Sequence, residues 1–317
     1  VWEECKDRKS SSGAGFDVVI NSGVQNVDSG VGVYAPDADA YKTFAPLFDK
    51  VIDQYHGGYK PESVHTTDLN VDKLVGDNPD PTGKYVVSTR IRVGRNLADF
   101  PLNPGINKEE RREVENQVVT ALDTLSGDLA GKYFPLSGMS EEVREKLVAD
   151  HFLFKRGDRF LEAGNCNRDW PDARGIYHSA DKKFLVWVNE EDQLRIISMQ
   201  KGSDIREVFS RLTNAVKSIE DRIKFARNDH LGYISSCPTN LGTAMRASVH
   251  IRIPLASQQP NFKRFCEENG LSVRGIHGEH SKSEGGVYDI SNKRRLGLSE
   301  VQCVQTMMDG VSKLIAW

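Results

Sequence analysis

Arginine side chains recur on one face of two segments that the sequence predicts to be β-strands. Residues 85–93 and 247–253 alternate polar and apolar side chains, and this period of two places every second residue on the same face. The polar face would carry Ser88, Arg90 and Arg92 from the first segment, and Ser248, His250 and Arg252 from the second together with Arg246, which directly precedes it. Either strand alone is typical of a solvated sheet face. Two of them, in a chain of net charge −3, favour a polyphosphate site, because arginine offers planar and permanently charged donors to phosphate oxygens.

Three consecutive acids, Glu190, Glu191 and Asp192, follow the apolar segment 184–188 at a predicted hairpin turn. Charged hairpin turns are common, so the residue types alone assign no function. At the end of a strand, however, these acids could hold a cationic substrate or serve as a general base. Arg195, on the returning strand, would lie within their reach. The turn is therefore a candidate site for a basic substrate.

Cys237 lies in the segment SSCPTNLGT, residues 235–243, directly after a strand-like segment at residues 231–234. A free cysteine is most often a small buried hydrophobic residue. The hydroxyl-bearing neighbours and the loop context favour a partly exposed thiolate here.

Residues 274–286, RGIHGEHSKSEGG, are polar and rich in glycine, which is typical of a mobile loop that closes over a ligand. His277, Glu279 and His280 lack the spacing of the usual zinc ligands, so no protein-held metal site is predicted.

Two common nucleotide-binding motifs do not explain this sequence. No GxxxxGK[ST] loop occurs, which excludes a P-loop enzyme. Residues 30–35, GVGVYA, match GxGxxA but follow a polar stretch instead of an apolar strand, so the dinucleotide interpretation fails its structural context.

The elements that must position these residues divide the chain into three parts. Residues 1–57 show helical periodicity and form a predicted N-terminal domain, and residues 58–84, rich in proline and glycine, form a predicted linker. Residues 85–317 form a predicted α+β catalytic domain, with strands at 85–93, 184–188, 194–199, 231–234 and 247–253. Helices are predicted to begin after Asn107, Ser140, Asp204 and Ser299. The last of them should bury one stripe of residues: Val301, Val304, Met308, Val311 and Ile315.

Composition narrows the function classes. The chain has 317 residues, 42 Lys and Arg against 45 Asp and Glu, and no apolar run of the length that a membrane span needs, so neither a nucleic-acid nor a membrane partner is predicted. Five cysteines without a CxxC pair indicate a reducing, cytoplasmic setting. The sequence starts at Val1 and stops at Trp317 inside a predicted helix, so we expect it to be part of a longer chain.

Together these motifs make the chain resemble the phosphagen kinases, and the resemblance runs from end to end. It rests on CPTNLGT at 237–243, NEED at 189–192, STRIR at 88–92, and the loop 274–286 followed by VYDISNKRR at 287–295. It implies a small all-helical N-terminal domain and a larger domain with an eight-stranded antiparallel sheet flanked by helices. The implied reaction is reversible phosphoryl transfer between MgATP and a guanidino compound, with Mg²⁺ carried by the nucleotide. Family members are monomers or homodimers, and the sequence favours neither.

The resemblance also implies roles for individual residues. The nucleotide would be bound by Ser88, Arg90, Arg92, His151, Arg195, Arg246, Ser248, His250, Arg274 and His280. The arginines would hold its phosphates, and His151 and His250 would lie near the adenosine. Glu191 and Glu279 would clamp the guanidinium, with Glu190 supporting them and Cys237 beside it. The amino-acid end of the substrate would meet a loop formed by Ser29, Gly30, Val31, Gly32 and Tyr34.

Loop length, Glu279 and the CPT form of the signature favour arginine as the substrate. Gln193 stands where the family usually has histidine, and residues 67–70 and 168–174 look closer to members that act on creatine. The same reaction on creatine, taurocyamine, glycocyamine or lombricine is therefore an alternative. A guanidine deiminase or amidinotransferase also pairs a cysteine with carboxylates, but it has no use for five phosphate-type arginines. A non-catalytic nucleotide-binding scaffold is disfavoured because Glu190, Glu191, Cys237 and Glu279 are all present.

Overall fold

The N-terminal part of the chain is helical, as the sequence predicts. The computed structural model describes residues 1–276 and 285–317. Its first four helices are α1 (Trp2–Cys5), α2 (Phe16–Gln25), α3 (Ala40–Thr43) and α4 (Ala45–Tyr55). Phe44, Phe48 and Ile52 recur at intervals of four residues, so they share one face and are all buried. They pack in one apolar cluster with Leu231 and Leu296 of the larger domain, which joins the two domains.

Residues 58–84 contain little regular structure, with one short 3₁₀ helix at Val71–Lys73. They are nevertheless held to the sheet. The carboxylate of Asp80 accepts hydrogen bonds from the backbone N–H groups of Tyr85 and Val86, each at 2.7 Å. The division at residues 57 and 84 stays a prediction.

An antiparallel sheet of eight strands forms the centre of the larger domain. The described residues contain two further strands, which form a separate pair. In chain order all of these strands are β1 (Val86–Arg95), β2 (Gly131–Pro135), β3 (Gly175–Ser179), β4 (Phe184–Val188), β5 (Leu194–Lys201), β6 (Arg227–Asn228), β7 (Gly232–Tyr233), β8 (Met245–Arg252), β9 (Leu271–Arg274) and β10 (Val287–Asn292). The order across the sheet is β2-β3-β4-β5-β1-β8-β10-β9, and β6 pairs only with β7. Residues 231–234, predicted as a strand of the domain, thus form half of this separate two-stranded ribbon. Periodicity predicts none of β2, β3, β9 and β10.

The larger domain also contains six helices within the described residues. They are α5 (Lys108–Leu122), α6 (Glu141–Ala149), α7 (Arg159–Ala163), α8 (Ile205–Glu220), α9 (Phe262–Glu268) and α10 (Glu300–Ala316). All four predicted N-caps are confirmed, because Asn107, Ser140, Asp204 and Ser299 each accept a hydrogen bond from a backbone N–H of the first turn. The predicted stripe of α10 is also confirmed, with four residues buried and Ile315 partly buried. Among the described residues, none of the helices has the length and apolarity that crossing a membrane would require.

Helices α8 and α10 cover one face of the sheet, and this decides which side chains remain for chemistry. The covered face carries Ile91, Val93 and Val249, all fully buried in the main core. The opposite face carries the polar residues. Over β3 and β4 that face is covered too, because Leu153 and Phe154 pack there against Leu185 and Trp187. The basic surface is therefore a walled recess, where the sequence alone suggested an open sheet face.

Strand register brings the arginines together. Across β1 and β8, Arg92 is opposite Arg246, Arg90 opposite Ser248, and Ser88 opposite His250. Residues directly opposite each other point to the same face. On the other side of β1, Arg195 pairs with Gly94, which shares its face with Arg92. At the far edge, Arg274 pairs with Asp289, which itself pairs with His250. Five arginines from four strands thus share this face with Arg252, which lies at the exposed end of β8.

Candidate active site

The polar face of the sheet is the floor of a cavity of about 580 Å³, here called the arginine cavity. Its lining includes Ser88, Arg90, Arg92, His151, Arg195, Arg246, Ser248, His250 and Arg274. These are all the predicted nucleotide residues that lie within the described part of the chain. Val148, Ala149 and Leu153 add an apolar wall near His151. The cavity thus combines a cationic floor with an apolar side, as an anion attached to a flat aromatic group requires.

The guanidinium groups of the arginine cavity strongly attract an anion. Within residues 1–276 and 285–317, the buried Nε atoms of Arg90 and Arg92 find no hydrogen-bond acceptor. Burial, together with repulsion from Arg195 and Arg246, lowers the pKa of Arg90 to about 10. The pKa of Arg92 is lowered for the same reasons. Clustered and partly desolvated cations are unfavourable by themselves, and phosphate oxygens would both accept these donors and neutralise the charge.

Asp289 and Trp187 also line this cavity, although neither was identified from the sequence. The carboxylate of Asp289 lies 3.0 Å from Nη2 of Arg246, so the two form an ion pair. The guanidinium carbons of Arg90 and Arg195 lie 5.4 and 5.5 Å from the centre of the Trp187 ring. The face of an aromatic ring attracts a guanidinium without using its N–H donors, so the cation is positioned and can still donate hydrogen bonds. These contacts fix three arginines while leaving donors for a ligand. Only the register of five strands reveals them.

A second cavity of about 850 Å³, here called the acidic cavity, adjoins the first. It is lined by the predicted substrate loop, residues 29–34, and by Glu190, Glu191 and Cys237. Arg92, Arg195 and Arg274 line both cavities, so the two spaces meet at these three cations. An anionic group at the junction would be within reach of ligands in both.

Glu190 and Glu191 occupy different environments within the acidic cavity. Glu190 forms an ion pair with Arg195, whose Nη1 lies 2.9 Å from its carboxylate. Glu191 accepts a hydrogen bond from Nδ2 of Asn240 at 2.9 Å, and Asn240 is itself bound by the guanidinium of Arg295. Burial raises the pKa of Glu191 to about 7, because the opposing effect of Arg195 is outweighed by burial and the carboxylate of Glu190. A carboxylate with this pKa suits proton transfer near neutral pH.

Asp192 does not face the cavity, which corrects the expectation that three acids could meet a substrate. It is only 3% exposed. Its carboxylate accepts hydrogen bonds from Asn96 at 2.8 Å, from the hydroxyl of Ser235 at 2.7 Å and from the backbone N–H of Ser236 at 2.9 Å. Asp192 therefore ties the acidic turn to the segment that carries Cys237.

The thiol of Cys237 lies 3.1 Å from the hydroxyl of Thr239, directly before a 3₁₀ helix at Pro238–Asn240. Burial, and then the negative charge of Glu191, raise the pKa of this thiol to about 12. The expectation of a thiolate is thus not met in the protein without substrate, where the neutral thiol is favoured. A guanidinium placed between Cys237 and Glu191 would oppose this shift, because a cation stabilises both anionic forms.

The loop 29–34 is folded onto helix α2 by backbone hydrogen bonds. The N–H of Gly23 donates to the carbonyl of Gly32 at 2.8 Å, and the N–H of Tyr34 donates to the carbonyl of Val19 at 3.0 Å. A Cβ atom on Gly32 would lie 2.6 Å from Cα of Gly23, so this approach requires glycine. Tyr34 is thereby held at the cavity wall.

Comparisons with known proteins agree with this geometry. The ATP:guanido phosphotransferase C-terminal catalytic domain matches residues 113–317, and the N-terminal domain of the same family matches residues 1–53. The chain belongs to the ATP:guanido phosphotransferase family. It is 57% identical to an arginine kinase of Anthopleura japonica, a match covering 99% of this chain and 44% of that protein. Against arginine kinase Lit v 2 of Penaeus vannamei, the identity is 54% over 99% of this chain and 89% of the relative. The chain thus spans less than half of the first relative and most of the second.

Solved structures of ATP:guanido phosphotransferases share the fold. Lombricine kinase superposes with a TM-score of 0.93 at 42% identity, covering 98% of this chain and 86% of the other. The duplicated taurocyamine kinase of Schistosoma mansoni also gives 0.93, at 44% identity, covering 99% of this chain and 44% of its own.

Gln193, the departure from the usual ATP:guanido phosphotransferase pattern, has a structural position. It is fully buried. Its Oε1 accepts a hydrogen bond from the N–H of Leu97 at 2.9 Å, and its Nε2 donates to the carbonyl of Pro101 at 2.8 Å. Gln193 lines neither cavity and fixes the chain that follows β1. This difference from the family therefore carries little information about the guanidino substrate.

The predicted site residues Glu279 and His280 lie outside the described residues, so their roles stay predictions. Asn240 and Arg295, by contrast, line the acidic cavity without having been singled out from the sequence. The signal for Asn240 was its place in CPTNLGT, three residues after Cys237. Arg295 likewise ends the motif VYDISNKRR at 287–295, but only the fold brings residues 240 and 295 together.

Proposed function

We propose that this chain transfers a phosphoryl group reversibly from MgATP to the guanidino group of L-arginine, giving ADP and phosphoarginine. One observation carries the proposal: the arginine cavity and the acidic cavity meet at Arg92, Arg195 and Arg274. A nucleotide whose phosphates bind the arginines would point its terminal phosphoryl group towards the acidic cavity. A guanidinium held by Glu191 beside Cys237 would face that group.

The chemistry follows from this arrangement. A guanidino nitrogen forms the new N–P bond while the bond from the γ-phosphorus to the ADP oxygen breaks. The enzyme contributes alignment and charge neutralisation, which the three shared arginines supply at the junction. A protonated guanidinium is a poor nucleophile, so one proton must leave. Glu191, with a pKa of about 7, is the proposed acceptor of that proton.

The contacts of the Glu190 and Asp289 carboxylates indicate how Mg²⁺ would be held. Both are engaged with arginines, at 2.9 Å from Arg195 and 3.0 Å from Arg246. Within the described residues no group of three or more His, Cys, Asp or Glu side chains forms a metal site. This donor set fits a magnesium ion that enters with the nucleotide and is held by phosphate oxygens. Magnesium would neutralise phosphate charge there, and Glu190 would keep Arg195 in position. The cytoplasmic setting stays a prediction.

Arginine is the proposed acceptor because relatives at 52–57% identity carry the name arginine kinase. Solved structures of comparable fold are named for lombricine and taurocyamine, at 42–44% identity. Those guanidines, with creatine and glycocyamine, are therefore the alternative acceptors. All of them present the same guanidinium to Glu191 and differ at the far end, where the loop 29–34 lies.

The test is ADP formation from MgATP by the purified chain, measured separately with arginine, creatine, glycocyamine, taurocyamine, lombricine and no acceptor. We expect turnover with arginine to exceed that with every other acceptor. The matched control is Glu191→Gln, which keeps the size of the side chain and should lose turnover while still binding MgADP.

Each outcome of this assay separates the candidates. Preference for another guanidine would keep the kinase and replace the acceptor. Consumption of free L-arginine with release of ammonia, in the absence of nucleotide, would indicate a deiminase. MgADP binding without turnover on any acceptor would favour a nucleotide-binding scaffold.

A further inference from the structure

The aromatic ring of Tyr34 packs against a glycine that the proposed chemistry does not use. Gly164 follows directly after helix α7 and is buried. A Cβ atom built on it would lie 2.9 Å from Cδ2 and 3.2 Å from Cε2 of Tyr34. The first distance is shorter than real Cβ contacts allow. The ring therefore occupies space that exists because residue 164 has no side chain.

The backbone around Gly164 is held in place, so it could not retreat from the ring. Asn21 of helix α2 donates a hydrogen bond to the carbonyl of Ala163 at 2.7 Å. Ser22 of the same helix donates to the carbonyl of Phe160 at 2.8 Å. The carbonyl of Phe160 would itself be 3.2 Å from the added Cβ. Helix α2 also carries the loop that contains Tyr34, so both sides of the contact are fixed to one element.

The acidic cavity gives the Tyr34 ring open space on one side. Tyr34 lines that cavity, together with Phe160 and Leu161 of α7, whereas Gly164 is not part of the lining. Glu191 and Cys237 line the same cavity as Tyr34, and after burial their charges help to raise the pKa of Tyr34. A ring displaced into the cavity would therefore narrow the space that these three residues border.

We propose that Gly164 is a specificity-determining residue, which sets the depth of the acidic cavity by letting the Tyr34 ring recede. The inference rests on the proposed function, under which the guanidino end of the substrate meets Glu191 and the opposite end meets the loop 29–34. A side chain at position 164 would push Tyr34 inward and exclude long guanidines before short ones. Gly164 acts through Tyr34 and touches no reacting atom.

The test is Gly164→Ala, assayed with L-arginine and with 3-guanidinopropionate, which has a shorter chain and no α-amine. We expect KM for arginine to rise about tenfold, with KM for MgATP unchanged and the ratio of kcat/KM values shifted towards the shorter guanidine. Glu162→Ala is the matched control, because Glu162 lies exposed on the same helix and lines neither cavity. It should leave the ratio unchanged.

A double-mutant cycle separates this role from a general structural one. In a Tyr34→Ala background, Gly164→Ala should have no further effect on KM, because the contacting ring is gone. A tenfold effect that persists there would overturn the proposal. If Gly164→Ala does not fold, the double variant should fold, because removing the Tyr34 ring makes space for the added methyl group. A double variant that does not fold would mean that the added methyl group clashes with the backbone near Phe160, which would also overturn the proposal.

A crystal structure of Gly164→Ala gives a readout that does not depend on turnover. The Tyr34 ring should be displaced towards Glu191, and an unmoved ring would contradict the proposal. If the unaltered chain phosphorylates no guanidine, the proposed function fails, whereas the displacement of Tyr34 still decides whether Gly164 sets the depth of the cavity.

Discussion

Arg92 and Arg246 lie directly opposite each other on the neighbouring antiparallel strands β1 and β8. Like charges in this position repel, and an antiparallel sheet ordinarily avoids them. Here Arg246 is only 6% exposed, and Asp289 balances part of its charge. Arg92 lines both cavities, so an anion can reach its guanidinium and reduce the electrostatic repulsion. The pairing is unfavourable by itself, and under the proposed function a bound phosphate would offset the repulsion.

Replacing Arg92 by alanine should separate stability from activity. We expect Arg92→Ala to lower kcat/KM by about 10³-fold, because a cation at the junction of the two cavities is lost. The melting temperature without nucleotide should stay equal or rise, since a buried repulsion is removed. The stabilisation normally gained from MgADP should shrink, which thermal denaturation with and without nucleotide measures.

Arg252→Ala is the control for that experiment. Arg252 is on the same face of β8 but is exposed and lines neither cavity. Its replacement should change turnover less than about twofold. An equal loss in both variants would mean that net charge, and not the position of Arg92, governs activity.

Glu191 should give the reaction a pH dependence near neutrality. Its pKa in the folded protein is about 7, above the ordinary 4.5 of a glutamate. If Glu191 accepts the guanidinium proton, kcat/KM for phosphoarginine formation should rise with pH through about 7 and level off above it. A profile without any inflection between pH 6 and 8, on the order of one unit either side of this pKa, would remove Glu191 as the base.

The same shift predicts an effect on stability. A carboxyl whose pKa is raised on folding stabilises the protein below its unfolded pKa, and this contribution is lost as the pH rises through about 7. Glu191→Gln cannot ionise. It should therefore melt at a higher temperature than the unaltered chain at about pH 8, while the difference disappears at about pH 4, below the unfolded pKa. Calorimetry at both pH values checks the sign of the difference in melting temperature.

Cys237→Ser should weaken turnover without abolishing it, because under the proposed function the sulfur lies beside the guanidinium and forms no covalent bond. A loss of about 10- to 100-fold in kcat is expected. Complete loss in a variant that still binds MgADP would contradict this role. With a thiol pKa of about 12, alkylation of the unliganded chain should still accelerate with pH above 9.

Asp192→Asn should lower both stability and kcat although Asp192 faces neither cavity. One carboxylate oxygen would become an amide donor among the donors of Asn96, Ser235 and Ser236, which costs about 1–3 kcal/mol. The acidic turn and the segment of Cys237 would then shift relative to each other. Urea denaturation and steady-state kinetics measure the two effects. Asp221→Asn, at the exposed end of α8, is the control and should change neither.

The sequence by itself determined the local elements and the types of groups in the site. Helix caps such as Asn107 and Ser299 depend on residues three apart, and the alternation through Arg90 and Arg92 depends on neighbours along one strand. Patterns that involve residues this close in the sequence can be recognised without knowing the fold. The motif around Cys237 and the pair Glu190 and Glu191 likewise predicted a guanidino site before any contact was known, and the fold brings these residues to one cavity.

Tertiary structure alone decided which of these groups meet, because register and domain packing join residues far apart in the chain. Asp192 looked equivalent to Glu190 and Glu191, yet its bonds to the segment around Ser235 turn it inwards. Arg295 reaches the acidic cavity, and Gly164 makes room for Tyr34, only in the folded chain. The pKa of Glu191 follows from burial and the charges of Arg195 and Glu190, and that of Cys237 from burial and the charge of Glu191; burial is a property of the whole packed molecule.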